Sequence, residues 1–448
     1  MSGVPPGVPQ GAATPAVPAV PAAIFIAISG ALSLATAMGI GRFAFTPLLP
    51  MMLHDGVIDL PSASWLASAN YLGYLLGALF CTFQPLIWRR FPVLPAMAAS
   101  TWVRSGLVAT CVLTLGMALH LPALWPLLRF LAGIASAVVF VFSSGWCMAQ
   151  LAKRHRSELG GVMFTGPGAG IALSGLFASG MVALNWTAAA GWLLFGLLAI
   201  GLVAFVWRVY REPVPSSPPA APLAATATAT VAATAVATPV ADHVTPAPQP
   251  VGRLRQMLLL ALAYGLAGFG YIITATFLPV IAREALPGSA WLDLFWPLFG
   301  FGVILGALLS TRMRMDGDMR YLLAGCYFVQ AVGVASSLVS PSLAGFAIGS
   351  LLLGIPFTAI TFFALQEVRR LRPASAPSFM GLLTAVYGIG QIAGPPLVAV
   401  ILRHSTSLGA GFTLSLEIAA ATLLAGAVMY LWMARIYPMP RAPRDAAN

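Results

Sequence analysis

The chain has 448 residues, of which 59% are hydrophobic and only 8% charged, and its mean hydropathy is +0.90. Soluble domains are about 45–50% apolar and about 25% charged, so this composition excludes a cytosolic enzyme, a nucleic-acid-binding protein and a secreted domain. The long apolar runs predict an all-α polytopic membrane protein rather than a β-barrel. The net charge of +11 then indicates which side of the membrane the basic loops occupy.

Residues 1–22 carry no charge. A signal peptide needs a basic first region, so this segment is predicted to be a disordered cytoplasmic tail. After it come twelve apolar segments long enough to cross about 30 Å of hydrocarbon. They lie near 23–49, 63–87, 93–118, 122–148, 160–183, 186–208, 256–281, 291–311, 321–340, 343–366, 377–402 and 409–433.

These twelve spans fall into two sets of six. Residues 23–211 are predicted to form one six-helix bundle and 255–435 the other. Residues 212–254 consist almost wholly of Ala, Pro, Thr, Val and Ser, a composition typical of a flexible cytoplasmic linker. Residues 436–448 are predicted to be a cytoplasmic tail.

The basic residues are distributed very unequally between the two sides. Eighteen of the 23 lie on the side of the chain termini, which we call the basic face. Arg283 and Arg403 lie on the other side, the opposite face, and Arg42, Arg104 and Arg129 lie within spans. Cytoplasmic loops are enriched in Lys and Arg, so both termini are predicted to be cytoplasmic in a plasma (bacterial inner) membrane.

The two sets of spans resemble each other in parallel register. Gly39-Ile-Gly41-Arg42 in span 1 corresponds to Gly268-Phe-Gly270-Tyr271 in span 7 at an offset of 229 residues. The same offset relates span 2 to span 8, and offsets of 220 and 221 relate span 5 to span 11 and span 4 to span 10. Two such halves, related by an axis along the membrane normal, are a transporter design with the substrate site between them.

Two motifs then indicate a family. The run from Gly39 to Pro50, with Ala69-Asn-Tyr-Leu-Gly-Tyr74 after it, resembles the YbfB/YjiJ-type branch of the major facilitator superfamily over about residues 23–435. This resemblance implies two six-helix bundles, with spans 1 and 4 lining a central cavity and spans 3 and 12 peripheral. It implies a monomer without a cofactor.

Charged side chains within a span are costly, about 2.5–3.5 kcal/mol each, and therefore call for an explanation. With spans 1 and 4 lining the cavity, Arg42 and Arg129 are predicted to bind the substrate or to couple its transport to an ion. Guanidinium groups bind carboxylates and phosphates bidentately. Bracing of neighbouring helices is the alternative for Arg129, and snorkelling or capping of carbonyls is the alternative for Arg42.

Other polar residues on the expected cavity helices are further candidates for substrate binding or coupling. Asn70 and Tyr74 share one face of span 2, and Tyr387 and Gln391 share one face of span 11. Tyr271 takes the position of Arg42 in the second half. Glu417 and Asp293 are the candidates for protonation. Ordinary helix packing is an open alternative for each of these residues.

Small residues and prolines cluster in three of the spans. Such residues allow helices to approach closely and to bend, so they are candidate packing or hinge positions. The members are Gly39, Gly41, Gly166, Pro167, Gly390, Gly394 and Pro395.

The sequence therefore predicts a secondary active transporter of a small organic solute, powered by protons and working by alternating access. Arg42 and Arg129 favour an organic anion as the substrate. The alternative is efflux of drugs or cationic compounds, favoured by Glu417 and by a partial antiporter motif at Gly390, Gly394 and Pro395. More remote alternatives are a sensor that does not transport and a membrane-embedded transferase. Neither a metal site nor a nucleotide-binding motif is expected, and the partners are lipid, solute and protons.

Overall fold

A computed structural model describes residues 20–91, 97–156, 159–211, 251–289, 291–310, 312–313, 317–371 and 376–438. Most of the predicted linker and of both predicted tails lies outside these residues. At the edges of those segments, helices begin at Val20 and at Val251, each a few residues earlier than the sequence predicts.

In the N-terminal half, eight α-helices occupy the predicted spans. They are α1 (Val20–Leu34), α2 (Phe45–His54), α3 (Leu60–Arg90), α4 (Ala99–Gly116), α5 (Trp125–Lys153), α6 (Gly160–Met163), α7 (Gly166–Ala183) and α8 (Ala188–Val206). The C-terminal half contains α9 (Val251–Ala285), α10 (Phe295–Ser310), α11 (Met319–Val339), α12 (Leu343–Leu371), α13 (Ala376–His404) and α14 (Leu408–Ile436).

Among the described residues, eleven helical segments are long and apolar enough to cross a membrane, with α1 and α2 forming one segment from Ala22 to His54. Helix α4 stands at the remaining predicted position. It is less apolar because it contains Arg104, and it packs against α5 and α8. The prediction of an all-α polytopic membrane protein built from two six-helix bundles is confirmed.

The first segment is broken, although the sequence predicts one continuous span over 23–49. A π-helix runs from Ala35 to Ile40, and a turn then leads into α2. The wider helical turn is visible in hydrogen bonds from Gly41 N to Thr36 O (2.9 Å) and from Phe43 N to Met38 O (3.0 Å). Such turns leave carbonyl groups without their usual helical partners, and those carbonyls need a donor from elsewhere in the protein.

The internal repeat is also visible in how the helices pack. In the N-terminal half, a Cβ on Gly73 of α3 would lie 1.9 Å from the carbonyl oxygen of Phe130 in α5. At the equivalent contact of the C-terminal half, a Cβ on Gly302 of α10 would lie 2.8 Å from the carbonyl oxygen of Leu351 in α12. Only glycine permits such close approach of two backbones. The contact between α3 and α5 in one half is therefore repeated between α10 and α12 in the other.

The glycines and prolines singled out in the sequence lie at other helix contacts. A Cβ on Gly39 would lie 2.3 Å from Gly170, and one on Gly390 would lie 2.4 Å from Gly265 O. Gly41, Gly166 and Gly394 are similarly crowded. Pro167 lies at the start of α7, and Pro395 lies within α13.

Three hydrogen bonds join the halves on the opposite-face side of Arg42, and we call them the seal. Thr46 Oγ1 donates to Ala275 O (3.3 Å), and Ser68 Oγ donates to Ile392 O (3.0 Å). The hydroxyls of Tyr71 and Thr276 are 3.0 Å apart. The seal closes the interface between the halves toward the opposite face.

A cluster of charged residues lies at the basic face of the C-terminal half. Arg320 is fully buried; its Nε and Nη2 donate to the Asp318 carboxylate at 2.9 and 2.7 Å. Arg370 donates to the buried Glu367 carboxylate at 2.6 Å. Partial burial alone would raise the pKa of Asp318, but hydrogen bonds from Arg320 and the charges of Arg320 and Arg370 lower it overall.

Candidate functional site

A cavity with about 560 Å³ of empty space, including its opening, lies between the two halves. It lies on the basic-face side of the seal. Seven of its thirteen lining residues are aromatic. The lining residues are Met38, Arg42, Phe43, Tyr74, Phe140, Phe164, Pro167, Tyr271, Phe357, Thr358, Thr361, Tyr387 and Gln391.

Arg42 is the charged group of this cavity. It lies two residues after the π-helix, and it is only 3% exposed. The guanidinium lies over the ring of Tyr74, with Cζ 3.9 Å from the ring centroid, which is a cation–π contact. Its Nη2 donates to Gln391 Oε1 at 2.9 Å, and its buried Nε has no hydrogen-bond partner among the described residues.

Arg129 contacts main-chain carbonyls of the first segment, which agrees with the alternative role of bracing neighbouring helices. Its Nη1 donates to Gly41 O at 3.1 Å and its Nη2 donates to Arg42 O at 2.9 Å. These are carbonyls at the break in the first segment, and buried carbonyls without a donor are costly. Arg129 is not among the cavity-lining residues, so its guanidinium stabilises the broken helix that carries Arg42.

Asn70 supports the same arrangement from α3. Its Nδ2 donates to the main-chain oxygen of Arg129 at 2.8 Å. One turn later, Tyr74 presents its ring to Arg42. The two residues share a helix face, as the sequence predicts, but only Tyr74 reaches the cavity.

The C-terminal half contributes an aromatic wall. The rings of Tyr271 and Tyr387 are stacked at 5.9 Å with an interplanar angle of 20°, and Tyr264 stacks on the other side of Tyr387 at 4.7 Å. Phe357 meets Tyr271 edge to face at 5.1 Å. Gln391 donates through Nε2 to the Tyr271 hydroxyl. A chain of hydrogen bonds therefore runs from Arg42 in one half to Tyr271 in the other.

The acidic and remaining basic residues within the spans lie away from this cavity. Glu417 is exposed on the outward face of α14, and Asp293 pairs with Arg283 at the opposite face. Arg104 contacts Trp207, with Cζ 5.0 Å from the ring centroid. Among the described lining residues there is no carboxylate, so the cavity carries one positive group and no negative one.

Sequence reasoning missed several lining residues, above all Phe357, Thr358 and Thr361 on α12. The repeat contains the signal that could have found one of them. Phe140 of α5 and Thr361 of α12 are separated by the offset of 221 that relates the two helices, and both line the cavity. Thr358 has a buried Oγ1 with no hydrogen-bond partner among the described residues.

Two duplicated bundles of membrane-spanning helices, closed toward one face and enclosing a cavity between them, define a membrane transporter. The comparison with protein families agrees. A family model described as "Uncharacterised MFS-type transporter YbfB" matches residues 34–431, and the chain belongs to this family of the major facilitator type. The predicted family is thus confirmed. No curated protein matches the chain.

Proposed function

We propose that this protein is a secondary active transporter that carries a small organic anion by alternating access. One observation carries the proposal: the cavity between the halves has a guanidinium in its wall and, among the described lining residues, no carboxylate to neutralise it. A buried charge without a counter-charge is costly. An anionic solute would compensate Arg42, whereas a cationic one would add a second uncompensated charge.

The arrangement of contacts supports alternating access. The seal joins the halves on one side of Arg42, and the cavity lies on the other. Opening the opposite face requires the loss of these three hydrogen bonds and of the link between Arg42 and Gln391. All four join one half to the other, so a rocking motion breaks them together.

The basic face supports a cytoplasmic location of the termini and of the cavity opening in a plasma (bacterial inner) membrane. The sequence assigns eighteen of 23 basic residues to this face, as the positive-inside rule expects of cytoplasmic loops. The cavity is built within one chain, so a monomer is sufficient for transport.

Proton coupling is the second part of the proposal. Since the described cavity lining has no acid and Glu417 faces outward, the proton would accompany the substrate anion instead of binding an acid of the cavity. A pH gradient imposed on proteoliposomes should then accumulate the substrate on the alkaline side beyond the level reached in protein-free liposomes. Accumulation that follows membrane voltage and ignores the pH gradient would contradict this part.

Drug or cation efflux has no comparable support. Aromatic rings do bind cations, but in this cavity Arg42 already lies over the ring of Tyr74. Glu417, the acid that favours this alternative, does not reach the cavity.

The proposal can be tested by thermal unfolding of the purified protein with a panel of organic anions and cations. A ligand that binds the folded form raises its melting temperature. We expect an organic anion to do so, Arg42→Gln to abolish the shift, and Arg403→Gln, an exposed arginine on the helix of Gln391, to retain it. Stabilisation by cations alone, or an unchanged response in Arg42→Gln, would overturn the proposal.

A further inference from the structure

We propose that the substrate is an aromatic monocarboxylate, whose carboxylate displaces the amide oxygen of Gln391 from Arg42. This inference rests on the proposed function, because it identifies the chemical class of the anion. Three features of the described cavity lining support it: the single positive charge, the aromatic side chains of the wall, and the buried polar atoms without hydrogen-bond partners.

The number of charges points to a single carboxylate. Arg129 is committed to the carbonyls of Gly41 and Arg42, which leaves Arg42 as the charged residue of the described lining. One guanidinium can compensate one carboxylate. A dicarboxylate or a doubly charged phosphate ester would carry a second charge into an apolar cavity without a partner, at a considerable desolvation cost.

The wall points to a flat ring. Tyr271 and Tyr387 are nearly parallel, and Phe43 and Phe357 are in contact with each other, with ring centroids 6.3 Å apart. Aromatic pairs prefer stacked or edge-to-face geometries, and a ring in the cavity would pack against those parts of the wall that no other ring already covers. A sugar or a polyol would instead lose part of its hydration against the ring surfaces.

Gln391 occupies the place that a carboxylate would take. Its neutral amide oxygen accepts from Arg42 Nη2 at 2.9 Å, and the adjacent Nε is buried without a partner. A carboxylate placed along the Nη2 and Nε edge would accept from both nitrogens, and such charged bidentate pairs are stronger than a single bond to an amide. Gln391 would keep its bond to the Tyr271 hydroxyl.

This displacement would also couple binding to movement. The bond between Arg42 and Gln391 joins the two halves at the level of the cavity. When the substrate binds Arg42, that bond is lost, whereas the seal and the packing of α3 on α13 and of α7 on α10 remain. Binding therefore weakens the closed interface.

Thr358 adds a preference within the class. Thr358 lines the cavity, and its buried Oγ1 has no partner among the described residues. An unpaired buried hydroxyl favours a ligand that hydrogen-bonds to it. A ring with a hydroxyl group should therefore bind more tightly than the unsubstituted ring.

The first test is binding to the purified full-length protein by isothermal titration calorimetry; binding is measured because protonated benzoic acid crosses lipid unaided. The probes are benzoate, 4-hydroxybenzoate, cyclohexanecarboxylate, terephthalate and neutral benzamide. We expect benzoate and 4-hydroxybenzoate to bind, and the other three to bind roughly tenfold more weakly or worse. Thr358→Val should erase the advantage of 4-hydroxybenzoate over benzoate.

The second test separates displacement from direct contact by a matched pair of variants. Gln391→Glu places a carboxylate beside Arg42 and should weaken benzoate binding by roughly tenfold or more. Gln391→Leu removes the competing oxygen and adds no charge, so it should weaken benzoate binding far less than Gln391→Glu does. Equal binding by both variants, or loss in both, would overturn the displacement.

The failures of the two proposals can be told apart. Binding of aliphatic or multiply charged anions in place of benzoate, still abolished by Arg42→Gln, would overturn the aromatic class and leave an anion transporter. Binding of no anion, with cations bound equally well by wild type and Arg42→Gln, would overturn the proposed function itself.

Discussion

Arg42 in the N-terminal half and Tyr271 in the C-terminal half are equivalent positions of the internal repeat, and both line the cavity. Pro167 and Tyr387 are a second such pair. The same helix positions thus face the cavity in both halves, but they carry a charge on one side and a phenol ring on the other. The two halves share their helix packing but differ in the side chains that face the cavity. A bound solute therefore contacts a charged wall on one side and an aromatic wall on the other.

The first helix of each half differs as well. The N-terminal one is broken by a π-helix at Ala35–Ile40, whereas α9 of the C-terminal half is continuous from Val251 to Ala285. Arg129 supplies the hydrogen bonds that the break requires. Its equivalent in the second half is Ser350, whose hydroxyl bonds within its own helix to Phe346 O at 2.8 Å. A continuous helix needs no such support.

The largest expected effect follows from that difference. Arg129→Leu removes both donors from the carbonyls of Gly41 and Arg42, and each unsatisfied buried acceptor costs about 1–3 kcal/mol. We expect a strong fall in melting temperature. Ser350→Ala at the equivalent position should lower stability by less than about 1 kcal/mol. Equal melting temperatures for the two variants would show that the break does not depend on Arg129.

The next effect concerns ligand binding rather than stability. Arg42→Gln removes the cation, and hydrogen bonds to charged groups contribute about 1.5–3 kcal/mol, so affinity for a bound anion should fall by roughly 10- to 150-fold. Tyr271→Phe removes only the hydroxyl that accepts from Gln391, and should cost less than about fivefold. Calorimetry on both variants measures this. Similar losses of affinity in the two variants would contradict the conclusion that the N-terminal half alone binds the anion through a charged group.

A third test concerns the packing that both halves share. A Cβ on Gly306 would lie 1.8 Å from the Ile355 carbonyl oxygen, whereas one on the equivalent Gly77 would lie 2.9 Å from its nearest neighbours. Overpacking typically costs about 1–3 kcal/mol. We expect Gly306→Ala to lower the melting temperature more than Gly77→Ala does. The reverse order would mean that the halves are not equally rigid at this contact.

The charged cluster at the basic face of the C-terminal half predicts a smaller, pH-dependent effect. The pKa of Asp318 is lowered in the folded protein, so its stabilisation is present above the unfolded value of about 3.9 and is lost as the pH falls through the folded value. Asp318→Asn should therefore lower the melting temperature at pH 7 by the equivalent of about 1 kcal/mol. A scan toward pH 3 should make the two proteins converge, whereas a constant difference would exclude the ionised carboxylate as its source.

Much of the fold could be predicted from the sequence, because hydrophobic length alone locates membrane-spanning helices. The predicted segment 409–433 lies within α14, and 160–183 coincides with α6 and α7. The break near Gly39 and Gly41 could not be predicted as such. Glycine permits it, but the hydrogen bonds that hold it come from Arg129, which is distant in the chain.

The candidate site could be predicted only in part, for a related reason. Arg42, Tyr271, Tyr387 and Gln391 are polar residues in apolar helices, and this contrast is visible in the sequence. Phe357 is one apolar residue among many, and only tertiary packing turns it toward the cavity. The direction of a long side chain is likewise set by its neighbours, so the contact of Arg129 with main-chain carbonyls has no sequence signal of its own.

The smallest expected effect is that of Glu417→Gln. Glu417 lies nine residues into α14, which is about 13 Å along the helix axis, and faces outward. If an acid of the chain carried the coupling proton, this intramembrane carboxylate would be required, and the variant would lose transport driven by a pH gradient. If the proton accompanies the substrate anion instead, the variant should transport at the wild-type rate, after subtraction of the flux into protein-free liposomes, and show the same pH dependence. Proteoliposome assays with wild type and variant therefore decide whether Glu417 binds the coupling proton or the proton moves together with the solute.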